Sequence, residues 1–337
     1  MSSRPSRLRR VAVSAIAASL LAVVAACGGG AAAAGGASGG ETTVQVGALS
    51  NGAATETPIT VPVVEEIRAK LPQAIRDKGT LDVGSGNLPA GSPPLGYVGT
   101  DQQTLVGSEP DLARLVAGVF GLKPDIHNST WENMFVGIDS GRVDVGFSNI
   151  TDTEERKKKY DFAGYRQDNL GFLTLASNPW TFTGDYHQLA GLRTSVSKGT
   201  NQEKILLEWQ TKLQAEGKDV TIQYYPDFNA AQLALSSGQI DAYLGPNPQA
   251  VYAARQSQGT PAPAKVAGTY SGAGESLQGL IAATVKKDSG LAQPTADAIN
   301  YLIKNGQYAA WLKAWGLDGE AVATSEVNPP GLPITNS

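Results

Sequence analysis

Apolar residues between positions 61 and 317 follow two spacings in turn. Residues three or four apart predict helices at 64–75, 111–121, 201–217, 229–237, 292–305 and 307–315, and another through Met134 and Ile138. Short apolar runs bounded by Gly, Pro and small polar residues predict strands at 81–87, 143–147, 192–196, 220–224 and 240–244, and one ending near His127. Strands that alternate with helices predict parallel sheets covered by helices, the α/β class.

One segment of the first half has a counterpart in the second half. LSSGQIDAYLG at 235–245 follows the pattern of IDSGRVDVGFS at 138–148, with a helix end, a Ser-Gly turn and a strand carrying an Asp at the same place. This repeat indicates two lobes built on one plan. Two extended apolar runs, 170–176 and 280–285, have the character of two connections between such lobes.

The predicted architecture is two-lobed, with two sheets and flanking helices joined by a two-segment hinge. A ligand is expected in the cleft between the strand ends. The predicted boundaries are 58–171 and 284–325 for the first lobe, 172–283 for the second lobe, and 326–337 for a tail.

The stretch VGFSNITDTEERKKKYDF at 145–162 carries the clearest candidate chemistry. It passes from an apolar run through a polar turn into a charged helical start with Arg156. The free N–H groups of a first helical turn favour an anion, and the planar arginine fork suits a carboxylate. The alternative is a plain strand–loop–helix connection, capped by Thr151 or Thr153 and followed by a solvated charge run.

Composition narrows the class of protein. The chain has 337 residues, 41% hydrophobic and 17% charged, with a formal net charge of −4. It can bury a sizeable core, and it carries no long basic patch beyond its N-terminus, so nucleic acid is not expected as a partner.

The N-terminus indicates export. Four arginines precede an apolar stretch at 11–26 that is short for a membrane span, and Val-Ala-Ala-Cys ends at Cys27. This resembles a bacterial lipobox, which implies removal of 1–26, lipidation of Cys27 and a lipid anchor on the extracytoplasmic face of the cell membrane. The alternative is an ordinary secretory signal. Residues 28–57 are mostly Gly, Ala, Ser and Thr, so 27–57 is predicted to be a flexible tether.

The residue types and their spacing do not favour a catalytic site or a metal site. The two histidines, His127 and His187, are far apart in sequence, and Cys27 is the only cysteine, so neither a Cys–His pair nor a His/Cys metal cluster is expected. Ser195 and Lys198 fit an S-x-x-K pattern, but no K-T-G or S-D-N triplet accompanies them. No cofactor and no metal are predicted.

Several motifs together resemble family 3 extracellular solute-binding proteins. They are GTLDVGSGN with PPLGY, PDLARLVAGVFGLK, WENMFVGIDSGRVDVGFSNITDTEERKKKYDF, SVSKGTN, LALSSGQIDAYLG and NGQYAAWLKAWGL, and they cover most of residues 67–317. The resemblance implies a periplasmic binding protein fold of type II character. It also implies a monomeric subunit of an ABC importer that closes on a small polar, carboxylate-bearing solute, an amino acid or a derivative, and delivers it to a permease with its ATPase.

The resemblance also assigns site residues. It implies that one aromatic side chain stacks on the ligand, that two side chains hydrogen-bond it, that an arginine clamps its carboxylate, and that a loop and helix start in the second lobe complete the site. The stacking aromatic is Trp131, the hydrogen-bonding residues are Asn149 and Thr151, and the clamping arginine is Arg156. The loop and helix start of the second lobe contribute Ser197, Thr200 and Asn201. The alternatives are that Trp131 is a core residue and that Asn201 is a helix cap.

The chain departs from the family pattern at one position that matters for the ligand. Pro246 occupies the place where the amino acid binders usually carry an acid for the ligand ammonium, and proline offers neither charge nor N–H. Either Glu109, Glu132 or Asp152 supplies the negative charge, or the ligand is not a plain α-amino acid.

Two other functions stay open from the sequence. An enzyme on the same fold, similar to periplasmic dehydratases, would need a carboxylic acid with a raised pKa in the cleft, and Glu109 or Glu132 could provide it. A ligand sensor for a membrane receptor would look much the same in sequence.

Overall fold

A computed structural model describes residues 40–335 of the chain. The helices are α1 (Glu65–Arg68), α2 (Gln73–Lys78), α3 (Ser108–Phe120), α4 (Trp131–Ser140), α5 (Asn201–Ala215), α6 (Phe228–Ser236), α7 (Asn247–Gln256), α8 (Ala292–Lys304) and α9 (Gln307–Trp315). The strands are β1 (Glu41–Val46), β2 (Thr57–Pro62), β3 (Thr80–Ser85), β4 (Tyr97–Val98), β5 (Leu105–Val106), β6 (Lys123–Asn128), β7 (Val145–Gly146), β8 (Tyr160–Leu175), β9 (Arg193–Val196), β10 (Thr221–Gln223), β11 (Ala242–Pro246), β12 (Ala264–Ser271) and β13 (Gly279–Lys286). The predicted signal segment and Cys27 lie outside the described residues.

Most predicted elements are confirmed, and the differences have local causes. The helix predicted at 64–75 is divided into α1 and α2, because Pro72 between them is extended and has no N–H to donate. The charged segment after β7, predicted to begin a helix, is a single 3-10 turn, Arg156–Lys158. The Thr153 hydroxyl accepts from its first N–H at 3.1 Å. The capping alternative is therefore correct for Thr153.

The two predicted sheets share the strand β8 and so form one continuous nine-stranded sheet. Its order is β10-β9-β11-β8-β13-β7-β3-β6, with β12 also paired to β8. The 16-residue β8 pairs with β13 along its first half and with β11 and β12 along its second half. At about 3.3 Å per residue, such a strand is long enough to join both halves. In one half β10, β9 and β11 are parallel, and in the other half β7, β3 and β6 are parallel, whereas β13 runs antiparallel to β7.

Separate hydrophobic cores define the two lobes. The core of lobe 1 contains Tyr165 and Ile281, and the main core of lobe 2 contains Leu170 and Ala273. The chain therefore crosses between the lobes at 165–170 and again at 273–281. The predicted boundary at 283/284 is wrong, because it falls inside β13, which is paired and buried in lobe 1.

The N-terminal hairpin corrects the predicted tether. β1 lies inside the range 27–57 that composition assigns to a flexible segment, and it pairs antiparallel over six residues with β2, which begins at Thr57. Val46 and Val61 are fully buried against lobe 1, where the hairpin packs on α3 and α9. The alternation of β-branched and polar residues in ETTVQV and TPITVP is the reason that these segments form strands. Among residues 40–335, no helix combines the length and apolar character needed to span a membrane.

Candidate ligand-binding cleft

A cavity of about 310 Å³ lies between the two lobes. Lobe 1 lines it with the loop after β3, the start of α4 and the turn after β7. Lobe 2 lines it with the turn before α5, the segment between β10 and α6, and the end of β11. These segments follow the carboxyl ends of parallel strands, where α/β sheets usually bind ligands. The volume lies at the lower end of the range of about 300–1,000 Å³ for small-molecule sites.

Five of the seven residues assigned to the ligand line this cavity. They are Trp131, Asn149, Ser197, Thr200 and Asn201. Trp131 is partly buried, and it packs against the apolar cluster that includes Met134 and Phe162 as well as lining the cavity. The cap of α5 is Thr200, whose hydroxyl accepts from the Glu203 N–H at 3.2 Å, so the cap alternative is wrong for Asn201.

Arg156 lies at the edge where the lobes meet, outside the set of lining residues. Its Nη1 donates to the Thr151 carbonyl oxygen at 2.9 Å, and its Nη2 donates to the Gly199 carbonyl oxygen at 3.4 Å. The guanidinium carbon is 5.4 Å from the ring centroid of Trp131, whose Nε1 also donates to the Gly199 carbonyl oxygen, at 3.2 Å. Burial lowers the pKa of Arg156 to about 10, so the side chain remains a cation at neutral pH.

Thr151 is buried and does not line the cavity in this arrangement of the lobes. Its hydroxyl donates to Asp168 Oδ2 at 2.7 Å. Asn201 Nδ2 donates to the same oxygen at 3.0 Å, and also to the Gly272 carbonyl oxygen at 2.9 Å. Burial raises the pKa of Asp168, which is 1% exposed, to about 6. The Asp168 carboxylate therefore accepts hydrogen bonds from the Thr151 hydroxyl and the Asn201 amide, which the sequence assigns to binding the ligand.

Asn149 connects the cavity wall to a buried ion-pair network. Its side-chain oxygen accepts from Arg166 Nη2, and its backbone N–H donates to Glu109 Oε2 at 3.0 Å. Arg166 is 1% exposed and pairs with Glu109 at 3.1 Å and with Glu320. Burial alone would lower the pKa of Arg166, but the two carboxylates raise it. The amide of Asn149 is thus fixed in position beside the cavity.

The acids considered for the ligand ammonium separate into two groups. Glu132 lines the cavity, together with Pro246. Glu109 and Asp152 do not line it and are fully buried. Glu109 accepts from the hydroxyl of Tyr165 as well as from Arg166. Burial raises the pKa of Asp152 to about 7.

Lobe 2 adds lining residues that the sequence analysis missed. Asp227 caps α6, where its Oδ1 accepts from the Ala230 N–H at 2.9 Å, and an Asp just before an apolar run would have signalled that cap. Three aromatic side chains also line the cavity: Tyr225, Phe228 and Tyr243. Burial raises the pKa of Tyr243 to about 12, so its phenol is neutral, and it donates to Gln249 Oε1 at 3.2 Å.

Asp168 is another site residue that the sequence motifs did not predict. An acid in the middle of a long, largely buried strand needs a buried partner, and this requirement could have identified Asp168 as a candidate from the sequence. Its partners could not be found from local sequence, because they come from the turn after β7 and from the start of α5.

Elsewhere in residues 40–335, one group of side chains has the chemistry of a metal site. Ligand atoms of Asp82, Asp125 and His127 lie within 4.8 Å of one another. Lys78 Nζ is 2.5 Å from Asp82 Oδ2 and 2.6 Å from Asp144 Oδ2, so a lysine already compensates charge there. We assign no metal to this group.

The model of the family described as bacterial extracellular solute-binding proteins, family 3, matches residues 88–318 of the chain. The chain belongs to this family. The β1–β2 hairpin, α1, α2 and β3 of this solute-binding protein all precede the matched residues.

Curated relatives agree with the assignment. The arginine-binding protein ArgT of Corynebacterium glutamicum is 28% identical over 271 residues, which is 80% of this chain and 84% of ArgT. The L-cystine-binding protein TcyJ of Escherichia coli is 30% identical over 243 residues, which is 72% of this chain and 84% of TcyJ. Both relatives are binding proteins by name.

Solved structures confirm the two-lobed fold of this solute-binding protein. An ancestral arginine-binding protein bound to arginine superposes with a TM-score of 0.60 at 26% identity, over 70% of this chain and 98% of that one. The ancestral amino acid-binding protein AncCDT-1, a precursor of cyclohexadienyl dehydratase, superposes with a TM-score of 0.59 at 23% identity, over 72% of this chain and 97% of that one. At that identity the second likeness concerns the fold alone.

Proposed function

We propose that this solute-binding protein is the substrate-binding subunit of an ABC importer and captures an amino acid outside the cell for a membrane permease and its ATPase. The observation that carries the proposal is the cavity between the lobes, which both lobes line with polar and aromatic side chains. A ligand that contacts both lobes stabilises their closed arrangement and so can signal its presence to a permease.

The carboxylate end of the ligand is assigned to Arg156 and the start of α5. The first N–H groups of α5 lack partners within the helix and favour an anion, and Ser197, Thr200 and Asn201 surround them. Arg156 already donates to the Gly199 carbonyl oxygen through a long contact of 3.4 Å. A ligand carboxylate that replaced this carbonyl would make a charged hydrogen bond in place of a weak one.

The other end of the ligand is assigned to two acids from opposite lobes. Glu132 at the start of α4 and Asp227 at the start of α6 both line the cavity, whereas Pro246 contributes no charge there. Arginine and cystine, the ligands named for ArgT and TcyJ, each carry a second positively charged group. We therefore propose an amino acid with two cationic groups as the ligand class.

Anchoring belongs to the proposal as well. We propose that residues 1–26 are removed, that Cys27 is lipidated, and that the monomeric protein is held at the extracytoplasmic face of the cell membrane. The basic, apolar and Val-Ala-Ala-Cys segments of the N-terminus support this, as does membership of an extracellular family. Palmitate labelling of the parent, and its loss in Cys27→Ala, is the test.

We further propose binding without turnover. Glu109, one of the two acids suggested for a dehydratase-like reaction, is buried in contact with Tyr165 and Arg166 and does not reach the cavity. ArgT and TcyJ are also binding proteins. No observation favours the sensor role over the importer role.

A thermal-shift screen of the chain without residues 1–27 tests the function. L-Arginine, L-lysine, L-cystine, L-glutamine and glycine betaine form a suitable panel. We expect a dicationic amino acid to raise Tm with increasing concentration, since a ligand that binds only the folded state stabilises it by mass action. The shift should shrink in Glu132→Gln and in Asp227→Asn, and it should persist in the control Glu155→Gln, whose exposed acid pairs with Lys158. A shift with glycine betaine alone would contradict the ligand class.

A further inference from the structure

The C-terminal strap, residues 326–335, first pairs with lobe 1. Gly164 N–H donates to the Glu326 carbonyl oxygen at 3.1 Å, and Val327 forms an antiparallel bridge with Ala163. Asn328 N–H donates to the Phe162 carbonyl oxygen at 2.9 Å, and the Asn328 side chain accepts from the Phe162 N–H at 2.9 Å. This part of the strap lies along the lobe 1 half of β8.

The strap then reaches the core of lobe 2. Leu332 is 1% exposed, and its side chain belongs to the apolar cluster of lobe 2 that includes Leu170 and Ile205. The next residue, Pro333, accepts a hydrogen bond from Lys204 Nζ of α5 at 2.7 Å. One short segment is therefore attached to both lobes.

The backbone of Leu332 is held by lobe 1 at the same time. Its N–H donates to the Asp152 carbonyl oxygen at 3.1 Å, and its carbonyl oxygen accepts from the Glu154 N–H at 2.9 Å. Gly331 permits this close approach, because a Cβ there would lie 2.6 Å from the Asp152 carbonyl oxygen. The paired segment 152–154 leads directly to Arg156.

We propose that the C-terminal strap is a third, non-covalent connection between the lobes, which favours their closed arrangement and holds the segment before Arg156 in place. The two covalent crossings at 165–170 and 273–281 allow rotation about a hinge. Opening the cleft requires either that the Leu332 side chain leaves the lobe 2 cluster or that its backbone leaves residues 152–154. Either event exposes apolar surface or breaks buried hydrogen bonds. The strap therefore sets how closed the protein is before a ligand arrives, independently of which ligand it takes.

The test measures the distance between the lobes without ligand. Spin labels are placed at Val136→Cys on α4 and Leu233→Cys on α6, which are 58% and 69% exposed, in a chain carrying Cys27→Ser. Pulsed electron paramagnetic resonance of this parent should give mainly the short distance of the closed arrangement. Leu332→Ala, and truncation after Ser325, should shift the distance distribution to longer distances. The ratio of closed to open molecules should fall roughly tenfold to hundredfold, which is the factor that corresponds to the free energy of burying a leucine side chain.

Matched variants separate the strap from general destabilisation. Ile334→Ala, on the same strap but 51% exposed, should leave the distribution unchanged. If Leu332→Ala does not fold by circular dichroism, Lys204→Met removes the hydrogen bond to Pro333, along with a surface pair to Glu208, and should give a smaller shift in the same direction. A parent that is open despite its intact strap would overturn the proposal. Distributions of folded Leu332→Ala or Lys204→Met that superimpose on that of the parent would also overturn it.

Discussion

Asn201 of lobe 2 donates from Nδ2 to Oδ2 of Asp168 at 3.0 Å, and Thr151 of lobe 1 donates to the same oxygen. Asp168 lies in β8, at the first crossing between the lobes. Its carboxylate thus joins one side chain from each lobe, at the end of the cleft where a ligand carboxylate is expected. In this arrangement of the lobes, Thr151 and Asn201 donate to Asp168, although a ligand carboxylate could accept the same hydrogen bonds.

Asp168→Asn should change how stability depends on pH. Burial raises the pKa of Asp168 in the folded protein to about 6, above the usual aspartate pKa of about 3.9, so the folded state binds more protons than the unfolded state between these values. This carboxyl group therefore lowers the free energy of unfolding as pH rises from 4 to 6, by about 3 kcal/mol in all. Asparagine keeps an oxygen that can accept from both donors but does not ionise.

Urea unfolding of Asp168→Asn and the parent across that pH range gives the comparison. The variant should gain stability relative to the parent as pH rises from 4 to 6, with little further change above pH 7. Parallel pH profiles for the two proteins would show that Asp168 does not titrate in this window.

Arg166→Met should be strongly destabilising. Removal of the guanidinium leaves Glu109 and Glu320 buried without their partner, and breaking a buried ion pair in this way costs about 3–5 kcal/mol. Arg193→Met is the matched control, because its pair with Asp241 is 42% and 27% exposed and should be worth about 0–1 kcal/mol.

Urea unfolding at neutral pH measures both losses. Adding Glu109→Gln and Glu320→Gln to Arg166→Met should recover part of the stability, since neither of the two partners of Arg166 then carries an unpaired charge. Equal losses for Arg166→Met and Arg193→Met would contradict the role given to the buried network.

Arg156→Ala should weaken binding of the ligand identified by thermal shift. Loss of a charged partner for a carboxylate costs about 2–5 kcal/mol, which is about thirtyfold or more in Kd. Lys158→Ala is the control, because Lys158 is 57% exposed and pairs with the neighbouring, exposed Glu155. Titration calorimetry that gave the same Kd for Arg156→Ala and the parent would remove Arg156 from the site.

Ile59→Ala should test whether the β1–β2 hairpin is part of the folded body. Ile59 is 4% exposed and belongs to the lobe 1 core, and truncation of such a side chain costs about 2–5 kcal/mol. Leu233→Ala, at a position 69% exposed, should change little. A hairpin that behaves as a tether would instead leave the unfolding curve of Ile59→Ala unchanged.

The alternation of strands and helices and the two lobes could be predicted from sequence, because apolar periodicity and the repeat of 138–148 at 235–245 are local signals. The hairpin could not, since the small residues around it outweighed the alternation in ETTVQV. Of the site, the positions of Trp131, Asn149, Ser197, Thr200 and Asn201 around one cavity agree with the resemblance. The partners of Thr151, Asn201 and Arg156 could not be predicted, because Asp168, Gly272 and Gly199 meet them only in the folded chain.

Calorimetric titration of the chain without residues 1–27, with L-arginine and with L-cystine, decides whether the cleft binds an amino acid with two cationic groups. We expect saturable binding of one ligand per chain for at least one of them, and recovery of that ligand unchanged by mass spectrometry. Absence of saturable binding of both, with L-arginine at millimolar concentration and L-cystine up to its solubility limit, or recovery of a chemically altered ligand, would contradict this expectation.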